Sequence, residues 1–136
     1  MTVQHKSPLV DQWIEKAEND LRNATIVVRE KDPPTDTVCF HCHQVAEKYL
    51  KAYLIARHLA SPRVHDLGYL LNQCIALDPA FAELEAAMAT LNGYYIESRY
   101  PLDFPIHYSL EEAQQAVDLA HEIRGFIAEK INTASV

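Results

Sequence analysis

Glycine is nearly missing from this chain: three residues in 136, where ordinary proteins carry about 7%. Tight hairpins draw on glycine for positive φ, so a chain this poor in it is biased toward long uninterrupted elements. The seven prolines gather at Pro8, Pro33-Pro34, Pro62, Pro79, Pro101 and Pro105. Between them apolar residues recur at intervals of three and four, the period of a helix with one buried face. The expectation is an all-α protein, an up-and-down bundle of about five helices in one domain spanning residues 1–136. Hydrophobic residues make up 49% of the chain and charged ones 23%, which is ordinary globular usage and excludes disorder for its bulk.

Ser7-Pro8 reads as a cap followed by proline at the first helical position, where its missing N–H costs nothing. Val10, Trp13, Ile14, Ala17, Leu21, Ala24 and Val28 carry that first helix to about Glu30. A second helix, roughly 36–60, is apolar around much of its circumference, through Val38, Cys42, Val45, Ala46, Tyr49, Leu50, Tyr53 and Leu54. Such a helix belongs at the centre of a bundle or in a subunit interface. A shorter third helix opens near His65, and Asp78-Pro79 begins a fourth that frays near Arg99, ahead of Pro101. After a loop over 100–108, Ser109 and Glu112 have capping-box spacing and start a fifth helix that ends near Asn132.

The formal charge of −7 argues against nucleic-acid binding through overall charge. Its distribution is uneven. Residues 1–47 sum to −3 and residues 66–136 to −8, while residues 48–65 hold Lys48, Lys51, Arg57 and Arg63 with no acid, a local +4. No apolar run approaches the roughly 18 residues of a membrane span, and the opening MTVQHKSP holds no hydrophobic signal segment, so a cytoplasmic protein without membrane association is expected. Three cysteines without secretory context argue against a disulfide framework.

Four groups of residues bear chemistry. Cys39, Cys42 and His43 share a helical face, but a structural zinc site draws on four ligands and no second pair follows. They therefore read as a buried Cys42 with partly exposed histidines, and no metal or other cofactor is expected. Gln44, Glu47, Lys48 and Lys51 form a polar stripe on the second helix, with Tyr49 and Tyr53 interleaved. That pattern suits either a solvated face or a surface that holds phosphates and stacks bases. His65 and Asp66 open the third helix, where Asp66 suits the helix dipole and His65 suits either a cap partner or a phosphate-side donor. Arg99 precedes the 100–108 loop and His107 lies in it, and an Arg and a His converging on one phosphodiester are what metal-free RNA cleavage requires.

The string Cys39-Phe40…Gln44…Glu47-Lys48…Lys51-Ala52, then His65-Asp66-Leu67…Leu70, then Tyr95…Arg99-Tyr100-Pro101 resembles the HEPN family, small helical domains named for higher-eukaryote and prokaryote nucleotide binding. The likeness runs from Trp13-Ile14…Ala17…Asp20-Leu21 to the final helix. It implies a helical bundle, commonly a homodimer, frequently encoded beside a small nucleotidyltransferase and in some branches a ribonuclease toxin of a toxin–antitoxin pair. The ribonuclease branches carry an Arg, four to six residues, then a His. Here seven residues separate Arg99 from His107, and Tyr100 stands where a polar residue commonly follows the arginine.

The combined reading is a nucleotide- or RNA-binding helical dimer that works with a nucleotidyltransferase partner. Its candidate binding residues are Gln44, Glu47, Lys48, Lys51, His65, Asp66 and Tyr100. The alternatives are a metal-independent endoribonuclease using Arg99 and His107, and a purely structural interaction module. Tyr49, Tyr53, Tyr94 and Tyr95 supply aromatic area suited to a dimer seam.

Overall fold

A computed structural model describes residues 7–97 and 107–134, and among them the regular structure is entirely helical. Helix α1 (Pro8–Val27) starts where the sequence places it. The Ser7 hydroxyl accepts from the Leu9 amide at 3.2 Å, with Pro8 in the first turn. Val10, Ala17, Leu21 and Ala24 form its buried stripe. Helix α2 (Thr35–Ala56) lies at the centre, packed most extensively on α1 and on the last helix, α6 (Leu110–Ala134). The apolar circumference of α2 is thus consumed inside its own chain. Tyr49 and Tyr53 are buried there, so a subunit seam is not needed to cover them.

Helix α2 ends four residues earlier than its hydrophobic pattern predicts. His58 takes a left-handed conformation, φ 67°, its amide donates to the Ile55 carbonyl at 2.9 Å, and the Leu59 amide reaches back to Leu54 at 2.9 Å. This closes the last turn and reverses the chain, the geometry that usually calls for glycine. Residues 57–66 then run back to the start of α3 (Leu67–Leu77). Asp66 caps α3, its Oδ1 accepting from the Gly68 amide at 2.9 Å. Asn92 ties that cap to the next element, since its Oδ1 accepts from the Leu67 amide at 2.8 Å and its Nδ2 donates to Asp66 at 3.1 Å.

The expected fourth helix is broken into a 3₁₀ segment at Pro79–Leu84, helix α4 (Glu85–Asn92) and a single turn, α5 (Tyr94–Glu97). Gly93 marks the interruption between α4 and α5. Helix α6 begins as anticipated, the Ser109 hydroxyl accepting from the Glu112 amide at 3.0 Å. Glu18 on α1 grips Arg124 on α6 with both carboxylate oxygens (3.0–3.2 Å) and accepts from Tyr49 at 2.8 Å. Those contacts join three helices across a half-exposed seam. None of the described helices is long and apolar enough to cross a membrane.

Candidate functional site

His43, Glu47 and Lys51 recur every four residues on α2, so they form one line along the helix. All three are buried, at 0%, 3% and 4% exposure. A buried carboxylate is tolerated only when its oxygens are engaged. Glu47 meets that demand: Oε2 accepts from the Lys51 ammonium at 3.0 Å and Oε1 from His65 Nδ1 at 2.9 Å.

His65 is gripped twice by α2. Besides Glu47 on its ring, its backbone carbonyl accepts from His43 Nε2 at 3.0 Å. With Nε2 donating, His43 Nδ1 is left as the acceptor, and the Gln44 amide nitrogen donates to it at 3.2 Å. These bonds assign the neutral tautomer of His43. Burial drives its pKa from 6.5 to about 4, a shift that neighbouring Glu47 reduces without reversing. The His65 ring, half exposed at 51%, lies parallel to Tyr95 on α5, with centroids 4.4 Å apart and planes 14° from each other. The result is a half-exposed imidazole fixed at Nδ1 and stacked on a phenol.

The residues singled out from sequence divide by position. Gln44, Glu47, Lys51 and His65 come together in this network. Asp66 adjoins it as the α3 cap. Lys48 faces elsewhere, where its ammonium pairs with Asp20 Oδ2 while His41 Nδ1 meets Asp20 Oδ1 at 2.9 Å. Burial alone would raise the Asp20 carboxyl, but His41 and Lys48 outweigh it and hold it below its ordinary range. The lysines of the basic island are therefore neither a solvated stripe nor unpaired charges. His43, expected partly exposed, is fully enclosed, because its line on α2 is the one covered by residues 57–66 and α5.

His107 is exposed and directly precedes Tyr108, which is buried. Arg99 and Tyr100 lie outside the described residues. Tyr94 meets Tyr108 edge-on at 4.8 Å between ring centroids and donates to Glu112 at 3.2 Å. The chain positions on either side of the Arg99–His107 stretch are thereby held together. The cysteines are free and buried, and burial pushes the Cys39 thiol to about 12 and Cys42 higher still. Both stay protonated near neutrality, so neither is poised as a nucleophile. No group of three His, Cys, Asp or Glu side chains among the described residues has metal-binding geometry.

Sequence reasoning missed two members of the network, Tyr95 as the ring under His65 and His43 as its backbone anchor. The four-residue repeat of His43, Glu47 and Lys51 was the available signal, since three polar groups aligned on an otherwise apolar helix mark a buried polar line. Helical bundle and network together define a small polar-cored α domain. The family model for the HEPN domain matches residues 10–131, and the chain belongs to that family. Among solved structures, TT1696 from Thermus thermophilus is similar at 32% identity and a TM-score of 0.74, over 89% of this chain and 97% of that one. ST0689, described as an archaeal HEPN homologue, is similar at 27% identity and 0.72, over 90% and 97%. Comparison with curated proteins found no match.

Proposed function

We propose that this HEPN-family chain binds RNA or nucleotides at the face where His65 lies on Tyr95. The observation that carries this reading is the expense of holding His65. A buried Glu47–Lys51 ion pair and a buried neutral His43 both serve to fix one half-exposed imidazole, in a fold that could have closed its core with apolar residues. A stacked His–Tyr pair offers a π-face and a hydrogen-bonding edge, the two things a nucleotide base and its phosphate use. In this reading His65 touches ligand, Glu47, Lys51 and Gln44 position it, and Asp66 sets the start of α3, while Lys48, turned to Asp20, stands outside this face. Resemblance to the family supports a homodimer acting beside a nucleotidyltransferase in a toxin–antitoxin-like pair. Sedimentation across a dilution series tests the dimer, and a monomer throughout removes it.

Short single-stranded RNA titrated against wild type and His65→Ala tests the binding face. Loss of one stacking contact, about 1–3 kcal/mol, predicts affinity down by roughly 5- to 150-fold. Equal affinity for both proteins rejects the site. Truncating Lys51 would be a poor probe, because it strands a buried carboxylate and unfolding would mimic lost binding.

The Tyr94–Tyr108 contact supports a second reading, an endoribonuclease using Arg99 and His107, because it pins the two stems of the stretch that joins them. Arg99 would neutralise charge growing on the phosphate while His107 moves the proton. Cleavage in excess chelator that is abolished by Arg99→Ala and by His107→Ala supports that chemistry. Cleavage that survives both substitutions rejects it.

A further inference from the structure

The reversal at His58 leaves a groove of about 520 Å³ between residues 59–63, the end of α2 and the start of α1. That volume lies within the range of small-molecule sites, roughly 300–1,000 Å³. Its walls are Leu9 and Trp13 from α1, Ile55 from α2, and Leu59 and Pro62 from the returning chain. Two cations enter this apolar setting. The Lys51 side chain, 5% exposed, lines the groove, and its ammonium stands 5.5 Å from the centroid of the Trp13 ring. An ammonium has three donors, and Glu47 takes one of them. Arg63 lies at the exposed rim.

The charge accounting of the basic island singles out Arg63. Lys48 is paired with Asp20, Lys51 with Glu47, and Arg57 donates to the Tyr53 hydroxyl at 2.6 Å. Among the described residues Arg63 alone of the four has no ion-pair or hydrogen-bond partner. An unpaired guanidinium at the rim of an indole-walled apolar groove, with a buried ammonium in its lining, matches a ligand that is flat and apolar at one end and anionic at the other. We propose that the groove binds a planar aromatic ring bearing a phosphate. The ring lies against Trp13, and the phosphate meets Arg63 with a further donor from Lys51.

This site is distinct from the His65 face, although both are built on Lys51 and Glu47. It also carries its own reporter, because Trp13 is the sole tryptophan of the chain, so indole emission reads this groove alone. The test titrates full-length protein with phenyl phosphate, adenosine 5′-monophosphate, adenosine, inorganic phosphate and octyl phosphate while following Trp13 fluorescence. At least one aromatic phosphate should change the emission saturably and more than tenfold more tightly than adenosine or inorganic phosphate. A response to adenosine 5′-monophosphate over phenyl phosphate identifies the source as a nucleotide, and the reverse identifies a non-nucleotide aryl phosphate.

Arg63→Gln removes an exposed, unpartnered side chain, so it should leave the fold intact and weaken binding about tenfold. His65→Ala should leave the Trp13 titration within twofold, which separates this site from the RNA-binding face. No saturable change with either aromatic phosphate overturns the proposal, as does unaltered binding by Arg63→Gln. Octyl phosphate binding as tightly as the aromatic phosphates also overturns it, by showing an alkyl-chain groove in place of a ring site.

Discussion

Helix α2 carries two clusters of one composition, a carboxylate between a lysine and a histidine. In one, Asp20 joins Lys48 and His41; in the other, Glu47 joins Lys51 and His65. Both use a separate carboxylate oxygen for each partner, and the histidine contact is 2.9 Å in each. They differ in where the exposure lies. Around Asp20 it is shared, with 14% for the carboxylate and 24% for the imidazole; around Glu47 it is polarised, with 4% for the carboxylate and 51% for the imidazole. The shared arrangement cross-links α1 to α2 where water can still reach. The polarised arrangement spends a buried ion pair to present one ring outward. Position in the bundle, not residue type, separates a brace from a presenting device.

The largest expected effect follows from that difference in burial. Lys51→Met should destabilise by about 3–5 kcal/mol, since it takes the buried ammonium from a buried carboxylate that keeps only the His65 hydrogen bond. Lys48→Met removes a partner from a carboxylate that keeps His41 and water, and should cost about 1 kcal/mol or less. Urea denaturation of both variants measures the contrast. Glu47→Gln/Lys51→Met should recover much of the loss, because it removes both buried charges together. Equal losses for the two lysine variants would mean that burial does not distinguish the clusters.

Acid sharpens the comparison at His43. The native imidazole is neutral with its pKa lowered from 6.5 to about 4 by burial. As pH falls below 6.5 the unfolded chain takes up a proton that the folded chain refuses, so stability drains until the native ring titrates near 4. The loss over that window is about 3 kcal/mol. Asp20 behaves in a separate range: its carboxyl is held below 3.8, so its contribution is present above that value and goes only in stronger acid. Stability followed from pH 7 to 4 should fall in wild type and stay flatter in His43→Gln. A wild-type curve that is level across this range would show that His43 is not held neutral.

The bundle was legible because helix boundaries are local chemistry. Ser7-Pro8, Asp66, Asp78-Pro79 and the Ser109 to Glu112 spacing all mark real helix starts. The end of α2 was not legible, since a left-handed histidine at position 58 serves there in place of the usual glycine. The site was half legible. The stripe Gln44, Glu47, Lys48 and Lys51 and its grouping with His65 could be drawn from spacing and resemblance, but not its depth, nor that Lys48 turns away from the others to Asp20. Whether a polar line on a helix meets water depends on what folds over it, and here that cover is the 57–66 segment and the α5 turn. Tyr95 sits 30 residues from His65 in sequence, and no local rule pairs them. For the same reason Tyr49 and Tyr53 suggested a dimer seam from composition, while their burial inside the monomer depends on α1, α3 and α6.

The smallest expected effect is the most telling about what the Glu47 cluster is for. His65→Ala deletes a half-exposed ring, one hydrogen bond to Glu47 and the Tyr95 stack. Glu47 keeps Lys51, and water can enter where the imidazole stood, so no buried charge is stranded. The aromatic contact is worth about 0.5–1.5 kcal/mol in a fully formed pair and less at an exposed edge, which puts the net cost near 1 kcal/mol. Truncating Lys51 and truncating His65, two partners of one carboxylate, should therefore differ several-fold in stability while only the second is a clean probe of RNA affinity. Denaturant titration of His65→Ala beside the RNA titration decides it. A loss as large as that of Lys51→Met would make His65 a keystone of the core, and the two clusters would then be braces of the same kind.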